Sequence, residues 1–133
     1  MLRSIVAVLS GYLLFAASAV ALFWLSGRDP HAPASALFQL FTTLYGMLFA
    51  GLGGFVAAVL ARRSEFEHGF AVATLIAVIG AASLLGTLGH GSLWTQLAAI
   101  LIMAPMAMVG ARFRARQVRR SRVPAAPGHV GSR

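Results

Sequence analysis

The stretch LFQLFTTLYGMLFAGLGGFVAAVLA, residues 37–61, carries no Asp, Glu, Lys or Arg from one end to the other. A helix rises about 1.5 Å per residue, so about 20 residues cross the ~30 Å hydrocarbon core of a membrane. Backbone N–H and C=O groups cannot stay unpaired in lipid, and a helix lets a single segment pair its own. The stretch therefore predicts a membrane-spanning helix.

Three further apolar runs have the same character, at about residues 5–25, 70–88 and 93–111. The whole sequence is 59% hydrophobic and only 11% charged, whereas a soluble domain carries about a quarter charged residues. None of the runs alternates over about ten residues, as the strands of a membrane barrel do. We predict an all-α, integral membrane four-helix bundle formed by residues 1–111, followed by a disordered, basic cytoplasmic tail at 112–133.

The arginines predict how the bundle is oriented. If the four runs alternate in direction, Arg3, the arginine pair at 62–63 and the tail arginines lie on one side of the membrane, and Arg28 lies on the other. Short cytoplasmic loops are enriched in basic residues, so both termini are predicted to be cytoplasmic. Trp24 and Trp94 then fall at the outer interface, where indole rings concentrate. We expect a multi-pass protein of the bacterial cytoplasmic (inner) membrane.

An alternative for the first run is a cleaved signal peptide. Arg3 precedes an apolar stretch, and the small-residue sequence AASAVA follows at 16–21, as near a cleavage site. The apolar run continues through residues 22–25, however, which makes the segment long enough to span a membrane. The uncleaved helix is the favoured interpretation, while cleavage would leave three helices and an outside N-terminus.

Small residues recur every four positions along the second run, at Gly46, Ala50, Gly54 and Ala58. Helices in lipid gain nothing by hiding apolar surface from it, so they associate where small residues let two backbones approach closely. This small-residue stripe is predicted to be a helix-packing face, with a second one beside it at positions 53, 57 and 61. A contact within the bundle is favoured over a homodimer contact.

The polar residues inside the runs give few signs of chemistry. Ionisable side chains mark proton and ion pathways in membranes, and the four runs contain no Asp, Glu, Lys or Arg. Gln39, Thr42 and Thr43 lie within about one turn near the outer end of the second run. They either bridge helices or line a small polar recess, and bridging is favoured. Pro105 removes a backbone donor from the fourth run and predicts a kink there.

No nucleophile–base pair, pair of intramembrane carboxylates or glycine-rich phosphate loop occurs in the sequence, so an enzyme is not expected. Cysteine is absent, and the spacing of Glu65, Glu67 and His68 fits no defined metal motif. Charge pairing with the arginines at 62–63 is the simpler interpretation of these side chains. No catalytic residue, metal site or cofactor is predicted.

An arginine cluster follows the fourth run directly. Its members are Arg112, Arg114, Arg116, Arg119, Arg120 and Arg122. Each basic residue near an anionic leaflet contributes about 1 kcal/mol of attraction, so the cluster is predicted to contact anionic lipid head groups. Nucleic acid is not expected as a partner, because Phe113 is the single aromatic residue there that could stack on bases.

The Gly-Gly-Phe stretch at 53–55, the arginine pair at 62–63 and Trp94 resemble small four-helix membrane proteins of bacteria for which no activity is known. The resemblance covers about residues 40–112 and implies a four-helix fold in a cytoplasmic membrane, without an activity. Small multidrug transporters have a similar length and helix number, but they need a glutamate in the first helix, which this chain lacks. Fluoride channels have a break rich in Phe and Thr in the third helix, which residues 70–88 do not show.

By elimination, we predict a non-enzymatic structural or accessory subunit that acts through helix packing and the basic tail. Its partner would be another membrane protein or further copies of the chain. The alternative is an oligomeric channel or transporter for a small neutral solute, motivated by the polar group on the second run and by Pro105. A dry, tightly packed bundle would argue against the alternative, and a water-accessible path past Thr42 and Thr43 would favour it.

Overall fold

Four helices account for most of the described chain. A computed structural model describes residues 2–62, 64–88 and 93–121. The helices are α1 (Leu2–Ser26), α2 (Ala36–Ala61), α3 (Glu65–Thr87) and α4 (Trp94–Ser121). All four are long and apolar enough to cross a membrane, which confirms the all-α, four-helix part of the prediction.

Large apolar side chains lie on the outside of this bundle and small ones lie inside. Halfway along the four helices, Leu13, Leu48, Val78 and Leu101 are between 59% and 68% exposed. The buried core consists mainly of small residues, among them Ala7, Ala50, Ala57, Ala58, Ala107 and Ala111. A water-soluble bundle places its large apolar side chains inward. The observed distribution is the one that lipid favours, because lipid is as apolar as the exposed side chains.

Successive helices run in opposite directions, so the bundle has two distinct ends. At one end Arg3 Nε donates a hydrogen bond of 2.8 Å to the carbonyl of Leu60, which joins the start of α1 to the end of α2. We call it the arginine end. At the other end Trp94 Nε1 donates to Thr43 Oγ1 over 3.2 Å, which joins the start of α4 to α2. We call it the tryptophan end.

Glycines bring α2 into backbone contact with two neighbouring helices. Towards α1, Gly53 lies directly against the backbone of Gly11. Towards α4, Gly54 lies against the carbonyl of Ala107, and the carbonyl of Gly51 lies against Gly110. A side chain at Gly11, Gly53, Gly54 or Gly110 would overlap the backbone of the opposite helix. The α1, α2 and α4 backbones therefore meet at the closest distance that their atoms allow.

The predicted small-residue stripe lies inside the bundle. Gly46 contacts the side chain of Met103 and Gly54 contacts Ala107, so both face α4 of the same chain. Ala50 and Ala58 are buried as well. Since α4 covers this side of α2, the stripe is not a free surface in this structure.

The middle of α4 is irregular. Residues Ala99–Met103 form a π-helical turn, in which the N–H of Ala104 bonds to the carbonyl of Ala99, five residues earlier. Pro105 follows directly; in a regular α-helix its ring would press on the carbonyl of Leu101. A π-helical turn before a proline relieves that conflict, because it contains about one residue more than an α-helical turn. The structure thus has a π-helical turn directly before Pro105, at the place where the sequence predicts a kink.

Two helix boundaries differ from the prediction. The third helix begins at Glu65 rather than at about residue 70. Glu65 and Glu67 occupy its first turn, where carboxylates are stabilised by the unpaired N–H groups of a helix N-terminus. The charged stretch at 62–67 therefore forms in part the first turn of α3. Arg62 and Ser64, both with left-handed backbone conformations (φ of 59° and 48°), flank the short link instead.

The fourth helix continues ten residues beyond its predicted end at 111, up to Ser121. The prediction of a disordered tail from residue 112 is therefore wrong for 112–121, while residues 122–133 lie outside the described residues. Arg, Ala and Gln dominate this extension and are good helix formers, and the next proline in the sequence is Pro124. A helix of 28 residues is about 42 Å long, so α4 is longer than a ~30 Å hydrocarbon core.

We expect Gly54→Ala to destabilise the bundle by about 1–3 kcal/mol, the usual effect of overpacking a tight contact. The added Cβ would overlap the carbonyl of Ala107 and force α2 and α4 apart. The measurement is the thermal unfolding midpoint of the protein purified in a mild detergent.

Gly86→Ala is the matched control for this substitution, because a Cβ on Gly86 meets no described residue within 4 Å apart from its chain neighbours and the backbone of its own helix. Alanine is favoured over glycine in a helix, so its stability should be unchanged or slightly higher. Equal losses in the two variants would contradict the backbone-contact argument.

Candidate functional site

A cavity of about 620 Å³ lies in the tryptophan half of the bundle. Its wall takes residues from all four helices and from the loop between α1 and α2, namely from positions 12–24, 28–31, 42–46, 76–83 and 94–103. The volume falls within the range of about 300–1,000 Å³ that is typical of small-molecule sites. All the wall residues that the structure describes belong to one chain.

The cavity ends near the middle of the membrane-spanning region. Its deepest wall residues include Tyr12, Ile76 and Met103, and the Met103 side chain packs on Gly46. Towards the arginine end, the next layer of the bundle contains the backbone contact between Gly11 and Gly53. The cavity is thus a recess on the tryptophan side of the close-packed half of the bundle.

The wall is mainly apolar, with a limited set of polar groups. Aromatic rings line it at Tyr12, Phe15, Phe23, Trp24, Tyr45 and Trp94. Polar and charged side chains line it at Ser18, Arg28, His31, Thr42, Thr43, Ser83, Thr95 and Gln96. A few polar groups in an apolar wall are what fixes the orientation of a bound small molecule.

Thr42 and Thr43 both line this recess, and Thr43 also bridges two helices, so the two interpretations of the sequence are not exclusive. The hydroxyls of Thr42 and Thr43 donate to the carbonyl of Gln39 over 3.0 and 2.7 Å. Thr43 Oγ1 also accepts from Trp94 Nε1, which ties α2 to α4. Gln39 itself donates to the carbonyl of Ala34 and does not line the cavity.

The loop between α1 and α2 is attached to α4 beside the cavity. Thr95 Oγ1 donates to the carbonyl of Pro30 over 2.9 Å, and Gln96 Nε2 lies 2.7 Å from His31 Nδ1. Within the loop, Asp29 Oδ1 accepts from the backbone N–H of His31 over 2.8 Å. These bonds hold the loop against the wall of the cavity.

Gln96 is the most deeply buried polar side chain of the wall, at 3% exposure. The hydroxyl of Thr87 donates to the carbonyl of Ser83, so Thr87 Oγ1 accepts from the Gln96 amide over 3.4 Å. The same amide nitrogen donates to His31, whose Nδ1 is then the acceptor. This orientation leaves Gln96 Oε1 buried and without a hydrogen-bond partner among the described residues, which costs about 1–3 kcal/mol.

The sequence pattern did not single out Arg28, His31, Thr95 or Gln96 as site residues. Two of them lie in a polar connector that resembles any surface turn. An amide side chain in a predicted membrane helix was the signal that could have identified Gln96, because an unpaired polar group is costly in lipid.

The predicted lipid-contacting arginines lie far from the cavity, on the α4 extension at the arginine end. Arg112 lies over the ring of Phe66, 5.0 Å from its centre. Arg116, Arg119 and Arg120 are exposed and Arg114 is partly buried. Arg122 lies outside the described residues. No cluster of three or more His, Cys, Asp or Glu side chains suited to a metal ion occurs within the described ranges.

No protein-family model, curated protein or solved structure matches this chain.

We expect a cysteine at position 83 to react with a water-soluble methanethiosulfonate reagent about tenfold faster than one at position 74. Ser83 lines the cavity, whereas Thr74 lies on the same helix with an exposed, lipid-facing side chain. The reagent needs a thiolate, which forms in water and not in lipid. The chain has no cysteine of its own, so Ser83→Cys and Thr74→Cys each give a single reporter. Equal rates would indicate that the cavity is dry.

Proposed function

We propose that this chain is a non-enzymatic, multi-pass membrane protein that binds a small, mainly apolar solute as a transporter or channel does. The observation that carries the proposal is the cavity of about 620 Å³ that passes Thr42 and Thr43. A dry bundle would have favoured a purely structural role, and the recess instead favours solute binding.

The shape of the cavity fits a carrier better than an open pore. The recess lies in the tryptophan half, while the glycine contacts of α2 hold the helices together in the arginine half. Transport would require those contacts to separate. The π-helical turn at Ala99–Met103 and the adjacent Pro105 lie where the two halves meet, and such irregular turns occur in membrane helices where they line a cavity or a functional site.

Oligomer formation is a separate part of this proposal. One chain supplies the described wall, so binding does not require a second copy. Further copies of the chain would instead affect the transport path or the stability of the protein.

An accessory-subunit role is the second candidate, favoured by the α4 extension with its exposed arginines at 116, 119 and 120. Because α4 covers the small-residue stripe of α2, a membrane protein partner would contact other surfaces, such as the extension. The same arginines would also lie on anionic lipid head groups.

We further propose a bacterial cytoplasmic membrane, with both termini inside and the cavity facing outward. The support is the concentration of arginines at one end of the bundle and of tryptophans at the other.

This orientation predicts which of two single cysteines a membrane-impermeant maleimide labels in intact spheroplasts. Ser26→Cys at the tryptophan end should react before lysis, and Ser121→Cys at the arginine end only after lysis. The reverse pattern would overturn the proposed orientation and leave the cavity itself unaffected.

The solute-binding proposal predicts that filling the cavity abolishes saturable binding of a small apolar probe. Trp24 and Trp94 are the two tryptophans of the chain and both line the cavity, so a brominated alkane-chain ester should quench their fluorescence. Ala19→Phe, at a half-buried wall position, should remove the saturable component.

Ala17→Phe is its control, since Ala17 is exposed on the same helix and should leave quenching unchanged. Quenching that is unsaturable, or equal in both variants, would indicate partition into lipid and would contradict solute binding.

A further inference from the structure

We infer that the ligand of the cavity is an amphipathic anion, with an apolar chain held between the helices and a carboxylate or phosphate group beside Arg28. This inference rests on the proposed solute binding and specifies the substrate class.

The charges of the wall favour an anion. Arg28 and His31 line the cavity, whereas no Asp or Glu is found among the described wall residues. The carboxylate of Asp29 is nearby but accepts the backbone N–H of His31. The other described arginines, at positions 3, 62 and 112–120, belong to the arginine end. Arg28 is thus the one arginine among the described wall residues, and the nearby carboxylate of Asp29 belongs to the same loop.

The guanidinium of Arg28 is also positioned. It lies over the ring of Phe38, 4.6 Å from the ring centre, a cation–π contact that limits its rotation. A planar guanidinium presents parallel N–H groups that match the two oxygens of a carboxylate or phosphate. Arg28 therefore brings a positive charge to the rim of the cavity, with its guanidinium stacked on Phe38 of α2.

The interior of the cavity suits an extended apolar chain. Its wall runs from Trp94 near the rim to Met103 at the deep end, nine residues along α4 and thus about 14 Å. Phe15, Ile76 and Met103 offer apolar contacts along this length. An alkyl chain anchored by its anionic end would occupy it.

The aromatic rings of the wall would also suit a competing class of ligand, a quaternary ammonium ion held by cation–π contacts. The positive charge of Arg28 would repel such a cation. The two classes therefore make opposite predictions for the same substitution.

The experiment uses the full chain in phosphatidylcholine nanodiscs and measures quenching of tryptophan fluorescence by three brominated probes. The probes are ω-bromoundecanoate, its methyl ester and the corresponding trimethylammonium compound. Arg28→Gln should raise the Kd of the carboxylate about tenfold, the loss of one charge-assisted interaction. The Kd of the ester should stay unchanged.

Two further variants control for charge. Arg28→Lys should restore most of the affinity for the carboxylate, and Arg116→Gln, which removes a charge from the arginine end, should have no effect. Phosphatidylglycerol brominated on its acyl chains, compared with brominated phosphatidylcholine, shows whether the anion comes from a lipid head group or from a free amphiphile. Preferential quenching by either anionic source supports the inference.

If Arg28→Gln changed the Kd of the carboxylate and the Kd of the ester equally, the anion assignment would be overturned. Solute binding itself would stand. Tighter binding of the ammonium probe in Arg28→Gln, without loss of the carboxylate, would assign the cavity to cations instead. If none of the three probes gave saturable quenching that Ala19→Phe removes, the proposed function and this inference would both be overturned.

Discussion

The bundle depends on the backbone contacts that α2 makes on two sides at once. Gly53 meets α1 at Gly11, and the adjacent Gly54 meets α4 at Ala107. In lipid there is no hydrophobic force between helices, so van der Waals contact at small residues has to hold them together. Two consecutive glycines therefore place α2 between its neighbours and fix the arginine half of the structure.

The cavity lies on the tryptophan side of these backbone contacts. There α2 contributes Thr42, Thr43, Tyr45 and Gly46 to the wall, and the ring of Tyr45 lies 4.6 Å from that of Phe49. The same four helices that touch in one half enclose a space in the other. Hydrogen bonds then join them, as between Tyr45 and the carbonyl of Ser18 and between Trp94 and Thr43.

The polar groups of the site are concentrated in the loop and at the start of α4 rather than in the middle of the membrane segments. Arg28 and His31 belong to the connector, and Thr95 and Gln96 belong to the first turn of α4. This placement avoids the cost of an ionisable group deep in lipid. It also puts charge and hydrogen-bonding capacity at the rim and leaves the interior apolar, which is the arrangement an amphipathic ligand requires.

The sequence by itself determined the four apolar helices and the small-residue faces of α2. The length of an apolar run and the size of a residue are local properties, and in lipid they decide which segments form helices and where helices can pack closely. The sequence did not determine the ends of α3 and α4, where the N-terminal carboxylates at 65 and 67 and the helix-forming residues of 112–121 extend helices past the apolar runs. Only the tertiary structure decided that Thr95 meets Pro30 and Gln96 meets His31, and that Arg28 stands over Phe38. Those contacts join residues up to 65 positions apart in the chain, so their existence depends on how the helices pack and not on any pattern along the sequence.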